Sequence, residues 1–369
     1  MIISGATLES QAGVFAHIVT YNSERWVRVA IKSLLEQEGY SVGSNLFISI
    51  TDNASSDNTA NVVREFLRAG ISFRCNSENL GYCTAHNQGA ADFINSGCRY
   101  LLILNPDIRL KRDMLVKFVN TLASDDRAGI GTPLLFRADD KLEPVEPRRI
   151  DAAGMILTNS LRHFDRGSEQ LFEQHLYQLP CYVFGATGAC LLIKRDCVND
   201  LIVDDPEGQE DLYKVFPVLR TNANRVQLFD EAFFAYREDA DLSWRAQHFG
   251  WKVLFIPEAI GFHRRLVLPG NRSTLPAELN RHSVRNRFLL QINNYRFRDI
   301  PLAFIAGLLL RNFLVIAAVL FKERSSISAF RDLWHLKRRA FRRRELIMAK
   351  HALIKPMGFV RTTDDINKL

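Results

Sequence analysis

The chain has 369 residues, 47% of them hydrophobic and 24% charged, enough apolar content for a substantial core and too much for a disordered polymer. Its net charge of +7 is unevenly spread: residues 261–369 hold 22 Lys/Arg against 7 Asp/Glu, and residues 1–260 hold 26 against 34. An acidic body is therefore joined to a basic tail that seeks polyanions, either nucleic acid or an anionic membrane surface.

The opening MIISGATLESQAG lacks the charged and then apolar order of a secretory signal. The six cysteines form no CxxC pair or zinc-type grouping, so reduced, cytosolic thiols are expected. VFAHIVT at 14–20 reads as a strand and 24–38 as a helix; LFISIT at 46–51 is a second strand, ending at Asp52. A helix over 57–68, a short strand at 71–75, a helix over 82–96 and a strand at 100–104 follow. Strands alternating with such helices predict an α/β fold with a mostly parallel sheet, helices on both faces, and ligands at the carboxyl ends of the strands. Residues 137–182, with RADDKLEPVEPRR, read as a surface excursion with short strands. VFGATGACLLIK at 183–194 reads as a strand, and 229–256 as a turn, a helix and a strand.

Polar residues gather where strands end. VTYN at 19–22 is ordinary turn chemistry when taken alone. In TDNASSDNT, Asp57 suits a helix cap, whereas Asp52, one residue past its strand, suits a nucleotide base or ribose. NLGYCTAHNQGA uses Gly81 for a tight entry into a helix that carries Asn87. In LLILNPD the apolar run stops at a proline followed by Asp107, either a strand-terminating turn or a hard-cation ligand. Glu238, Asp239 and Asp241 crowd three acids at a helix start, more than capping needs, and a strand then leads through Pro257 to His263.

The ordered series VTYN, DNASSDNT, NLGY…HNQG, LLILNPD, GATGACLLI and FDEAFFAYREDADLSWR…GW resembles the family 2 glycosyltransferases, within them the rhamnosyltransferase-like branch of bacterial surface-polysaccharide enzymes. The resemblance covers roughly residues 13–265. It implies a GT-A fold with a nucleotide-diphosphate sugar lying across the strand ends. Thr20, Tyr21 and Asn22 would line the nucleotide pocket and Asp52 would accept from the base. Asn79, Gly81, Asn87 and Asn105 would border ribose and diphosphate. Asp107 would be the last acid of a DxD-type motif holding Mg²⁺ or Mn²⁺; Asn105 replaces its first acid, which brings forward His263 as the second metal ligand. Asp239 would be the catalytic base of an inverting transfer, and Gly185, Ala186, Thr187 and Glu238 would flank the acceptor.

In the tail, LAFIAGLLL-RN-FLVIAAVLF at 302–321 is long enough to span a bilayer. Its central Arg311 costs about 2.5–3.5 kcal/mol on insertion. A helical hairpin or an interfacial helix suits it, with an amphipathic helix docked on the body as the alternative. Residues 328–347 place Phe330, Leu333, Trp334 and Phe341 among seven Lys/Arg, a pattern for an anionic membrane surface. The apolar run beside it argues against a nucleic-acid partner.

The expectation is a GT-A domain over 1–265 and a basic, membrane-associating helical region over 266–369, peripheral or monotopic on the cytoplasmic face of the inner membrane. The expected donor is dTDP-L-rhamnose and the expected acceptor a lipid-linked saccharide of an O-antigen-like polymer. A UDP-hexose or UDP-hexofuranose donor and a catalytically silent binding module are the alternatives.

Overall fold

The computed structural model describes residues 13–67, 71–222, 226–265, 277–354 and 358–362. The segment 1–12, read above for a signal, and the junction 266–276 lie outside them. The first half of the chain runs β1 (Val14–Thr20), α1 (Val27–Leu35), β2 (Leu46–Asp52), α2 (Thr59–Arg64), β3 (Ser72–Cys75), α3 (Gly81–Asn95), β4 (Tyr100–Leu104), β5 (Ile108–Leu110), α4 (Met114–Ala123) and β6 (Ala128–Arg137). Short strands β7 (Ile150–Ala152), β8 (Met155–Leu157), β9 (His163–Asp165) and β10 (Cys181–Val183) fill the irregular excursion. Then come β11 (Cys190–Lys194), α5 (Arg195–Leu201), α6 (Gln209–Val215), α7 (Glu238–His248), β12 (Lys252–His263), α8 (Ala277–Asn294), α9 (Asn312–Phe321) and α10 (Ser328–Ala352).

Ten strands form one sheet in the order β10-β12-β6-β11-β4-β1-β2-β3, with β5 on β12 and β7 on β6. β4, β1, β2 and β3 are parallel, as are β6 and β12, whereas β11 runs antiparallel between β4 and β6. The sheet is thus mixed: parallel order holds for the six strands that alternate with helices, and the antiparallel strands come from the irregular segments. β4 shows why this sequence makes a central strand. Leu101 and Ile103 enter the core on one face while Tyr100, Leu102 and Leu104 enter the core on the other, the period-two alternation of a strand covered on both sides.

The predicted strand over 183–194 is corrected. Only Cys181–Val183 and Cys190–Lys194 are extended, in different parts of the sheet, and 184–189 forms a loop between them. The loop is buried, so its apolar composition mimics a strand. Gly185 leaves no room for a side chain, since a Cβ there would meet Ser243 of α7 at 2.7 Å.

α8 and α10 pack on each other and on the body. Asp230 lies fully buried against two equally buried arginines of α10, with Arg339 Nη1 at 2.6 Å and Arg343 Nε at 3.1 Å. Two of the seven basic residues read above as membrane-facing are therefore internal. Asp230→Asn would strand both guanidinia, and a loss of about 3–5 kcal/mol is expected in the unfolding free energy measured by denaturant titration. The tail also differs from the hairpin expected for 302–321. Phe304–Arg311, wound as π-helix, continues straight into α9 without a turn. Its polar centre is accommodated because Asn312 turns inward to Arg287 and Gln291.

Candidate active site

The carboxyl ends of β1, β2, β4 and β12 share one edge of the sheet, reached also by the loop that precedes antiparallel β11. Register fixes this: Thr20 pairs with Asp52, Ile18 and Cys190 each pair with Leu104, and His263 pairs with Ile108. The Asn105 N–H donates to the Ala189 carbonyl at 2.8 Å, joining the NPD turn to the 184–189 loop.

At the β1 and β2 ends, the Thr20 hydroxyl donates to Asp52 Oδ1 at 2.7 Å, and Ser55 donates to both carboxylate oxygens. Asn22, at φ +50°, accepts from the Ser56 N–H and donates its own N–H to Ser55 Oγ. Asp52 is buried in this cradle while Tyr21 and Asn22 stand exposed beside it. Asn79 accepts from the Gly81 N–H, which fixes the turn into α3. Gly81 has φ +79° and a Cβ there would meet Phe234 at 2.7 Å, so only glycine fits. Asn87 is corrected: it is fully buried, exchanges both backbone bonds with Phe229 and also reaches Glu231. Its amide clamps Phe229 and Glu231, in the segment that leads to Asp239.

The second cluster centres on His263, which lies between two carboxylates, with Nδ1 at 2.7 Å from Asp151 and Nε2 at 3.4 Å from Asp107. Burial alone would lower the imidazole, but Asp151 and Asp107 override it and hold it up to about 9. Asp107 Oδ1 is buried without a hydrogen-bond partner, and 3.4 Å is long for one. Two ligands at about 2.1 Å on adjacent positions of one cation lie about 3 Å apart, so the pair suits a divalent metal. Asp151 then orients the ring through Nδ1, the usual second partner of a ligating histidine. Among the described residues no group of three or more His, Cys, Asp or Glu could hold a metal alone, as expected where substrate phosphates complete the sphere. Behind Asp151 stand Arg137 at 3.0 Å and Arg265, which also reaches Asp165 at 2.5 Å.

The third cluster carries the acids. Phe234, Tyr236 and Arg237 all adopt positive φ, a strained turn that ends at Glu238 and Asp239. α8 holds it, with the Asn286 amide donating to the carbonyls of Phe233, Ala235 and Tyr236 and Arg285 donating to Phe233. Asp239 Oδ2 accepts from the Gly188 N–H at 3.0 Å, while the Gly188 carbonyl accepts from the Tyr82 hydroxyl at 2.7 Å. Burial pushes the Asp239 carboxyl up, opposed by the Gly188 and Ala240 N–H groups and by Arg265. Burial and then the charge of Asp239 push neighbouring Glu238 well up. Asp241 faces inward to Arg245 at 3.0 Å and is structural.

Gly185 and Ala186 are placed against α7, where the Ala186 N–H donates to Ser243 Oγ, and Thr187 is buried beside them. Of that loop, it is the backbone of Gly188 that meets Asp239. Tyr82, Asp151, Arg265 and Asn286 were not singled out from sequence. Tyr82 lies inside the NLGY motif but was given no role, and the others come from irregular segments and the tail, where no motif spacing marks them.

Two outcomes are expected here. Tyr82→Phe frees the Gly188 peptide, so kcat should fall about tenfold with little change in donor KM, because one neutral hydrogen bond contributes about 0.5–1.5 kcal/mol. Glu238→Gln should raise thermal stability at pH 8 relative to pH 5. A carboxyl raised in the fold costs stability once pH passes its unfolded value of about 4.3, and the amide removes that cost.

A mixed α/β sheet with a buried Asp52 cradle, a carboxylate and histidine pair and a buried acid along one edge has the GT-A architecture. The chain belongs to the glycosyl transferase family 2, whose family model matches residues 16–202. It is similar to the rhamnosyltransferase WbbL of Escherichia coli (strain K12), 24% identical over 257 residues that cover 68% of this chain and 83% of that protein. Among solved structures it resembles GalNAc-T7 with UDP, GalNAc and Mn²⁺ at a TM-score of 0.56 and 16% identity, over 79% of this chain; it spans half of that longer chain. It also resembles the mannosyltransferase PcManGT from Pyrobaculum calidifontis in complex with GDP-Man and Mn²⁺, at a TM-score of 0.51 and 15% identity over 93% of this chain and 86% of that one. The protein is a glycosyltransferase of this family and fold.

Proposed function

We propose that the protein is an inverting, metal-dependent transferase that moves L-rhamnose from dTDP-L-rhamnose to a lipid-linked saccharide of a surface polysaccharide. The observation that carries the mechanism is the placing of Asp107 with His263 and of Asp239 on Gly188 along one sheet edge. Asp239 takes the proton of the acceptor hydroxyl as its oxygen attacks the anomeric carbon, and the bond from that carbon to the diphosphate breaks on the opposite face. Asp107 and His263 would hold Mg²⁺ or Mn²⁺, which when bound would supply positive charge to the leaving diphosphate. Asp52, with Thr20, Tyr21 and Asn22, receives the base, and Asn79, Gly81 and Asn105 border the ribose. The Mn²⁺ complexes of GalNAc-T7 and PcManGT support the metal, and the rhamnosyltransferase relative supports the sugar.

The enzyme works at the cytoplasmic face of the inner membrane as a peripheral or monotopic protein. The helix Phe304–Phe321 is long and apolar enough to cross a membrane by length and composition, and only 11% of it is buried against the body. Phe297, Trp334 and Phe341 are exposed as well. Its 18 residues span about 27 Å, slightly less than a bilayer core, and Arg311 sits in the middle.

The test is nucleotide release by the full-length protein across a panel of nucleotide sugars, with and without Mn²⁺ or Mg²⁺. Metal-stimulated release from dTDP-L-rhamnose is expected. Release only from UDP-linked sugars overturns the donor, and turnover in chelator overturns the roles of Asp107 and His263.

A further inference from the structure

The segment 358–362 folds back onto the two elements that meet at Asp239, namely α7 and the buried loop 184–189. Phe359 packs against Phe184 of the loop and Trp244 of α7, with ring centroids 6.3 and 6.0 Å away, and those two rings are 5.8 Å from each other. Val360 beside it is fully buried. The Gln247 amide of α7 closes a reciprocal pair with the Val360 backbone, accepting from its N–H at 2.7 Å and donating to its carbonyl at 2.9 Å. The same amide nitrogen donates to the Phe184 carbonyl at 3.0 Å. The Gly358 carbonyl accepts from Lys252 Nζ, and the Arg361 carbonyl accepts from the Leu157 N–H of β8 at 2.9 Å. β8 also holds the start of the loop, since the Met155 N–H donates to Gly185 and the Phe184 N–H donates to Met155.

At one end, α7 and the loop meet where the Gly188 N–H donates to Asp239 Oδ2. At the other, about 12 Å further along α7 by helical rise, they meet at Gln247, Trp244 and Phe184. Phe359 and Val360 complete that second junction. Without them the buried Gln247 amide loses two of its three hydrogen bonds, and the Phe184 and Trp244 rings lose the ring packed on both. We propose that residues 358–362 are a positioning clamp for sugar transfer: they hold the loop 184–189 on α7 and so set the Gly188 peptide against Asp239. Phe359 and Gln247 are its positioning residues, acting through Gly188 and not on substrate. The proposal rests on Asp239 as the base of the proposed function, but it is read on the loop as well as on the rate, so the two can fail separately.

The experiment combines amide hydrogen exchange with nucleotide release, on the full-length protein carrying Phe359→Ala, and Phe359→Leu serves as the milder variant if the first does not fold. Exchange over 184–189 and the first turn of α7 should quicken about tenfold or more, while β1 and β2 exchange as in the wild type. For the best donor of the panel above, kcat should fall by an amount similar to that of Tyr82→Phe with donor KM unchanged, and Phe359→Leu should recover part of both effects. Combined with Tyr82→Phe, which frees the same peptide, the loss in kcat should fall short of the product of the two single losses, because both act through Gly188. Unchanged exchange over 184–189 overturns the clamp, as does equal acceleration throughout the sheet. An unchanged kcat, a donor KM that rises as kcat falls, or two losses that multiply also overturns it. If exchange and kcat respond as expected while Asp239→Asn keeps its rate, the clamp on the loop stands and the assignment of the base falls.

Discussion

Asp239→Asn is expected to lower the rate of sugar transfer about 10²–10⁴-fold, the usual contribution of a positioned general base. The substitution is nearly isosteric, and the amide oxygen can still accept the Gly188 N–H that Asp239 Oδ2 accepts now. The fold and donor affinity should therefore be kept, with the loss confined to kcat. The wild-type pH profile gives a second reading. Burial raises the Asp239 carboxyl, and the base works only when ionised. The rate should therefore fall as pH drops through a value above the ordinary carboxylate pKa of about 3.9. A profile flat to pH 4, or an Asp239→Asn enzyme with more than a tenth of the wild-type rate, would remove Asp239 from this role.

Asp107→Ala is expected to abolish metal-stimulated turnover, a loss of about 10³-fold or more if the cation supplies several kcal/mol of transition-state stabilisation. Asp107 Oδ1 accepts no hydrogen bond, so what the change removes from the fold is the carboxylate charge beside His263. Asp151→Asn separates ligand from support. It leaves Asp107 and Nε2 of His263 in place but replaces the carboxylate on Nδ1. The metal concentration for half-maximal activity should rise about 10–100-fold while the rate at saturating metal stays close to wild type. If Asp151→Asn alters the saturated rate and not the metal requirement, Asp151 is acting on substrate and not through His263.

The main lines of this molecule are readable along the chain wherever function coincides with periodicity. Asp52 and Asp107 stand out because each interrupts an apolar strand at its end, and Asp239 because three acids at one helix start exceed what the helix needs. Of those three, the structure shows that Asp241 neutralises Arg245, a difference of helix face that the sequence leaves undecided. Asn87 illustrates the opposite case. An amide among small residues suits a ligand pocket, but it equally suits pairing with the backbone of Phe229, 142 residues away. Asp151, Arg265 and Asn286 could not be found by pattern at all. Their roles come from long-range packing of segments whose local sequence specifies only turns, a strand end or a polar helix. The loop at 184–189 was hidden because its burial gives it a strand's composition.

Asn286 and Arg287 are neighbours on α8 with different duties. The first pins the strained turn that leads to Asp239, and the second ties down the apolar helix through Asn312. The apolar helix and the Asp239 turn are thus held by adjacent residues of a single helix. Replacing α8 along with the apolar helix would therefore remove the support of the Asp239 turn as well.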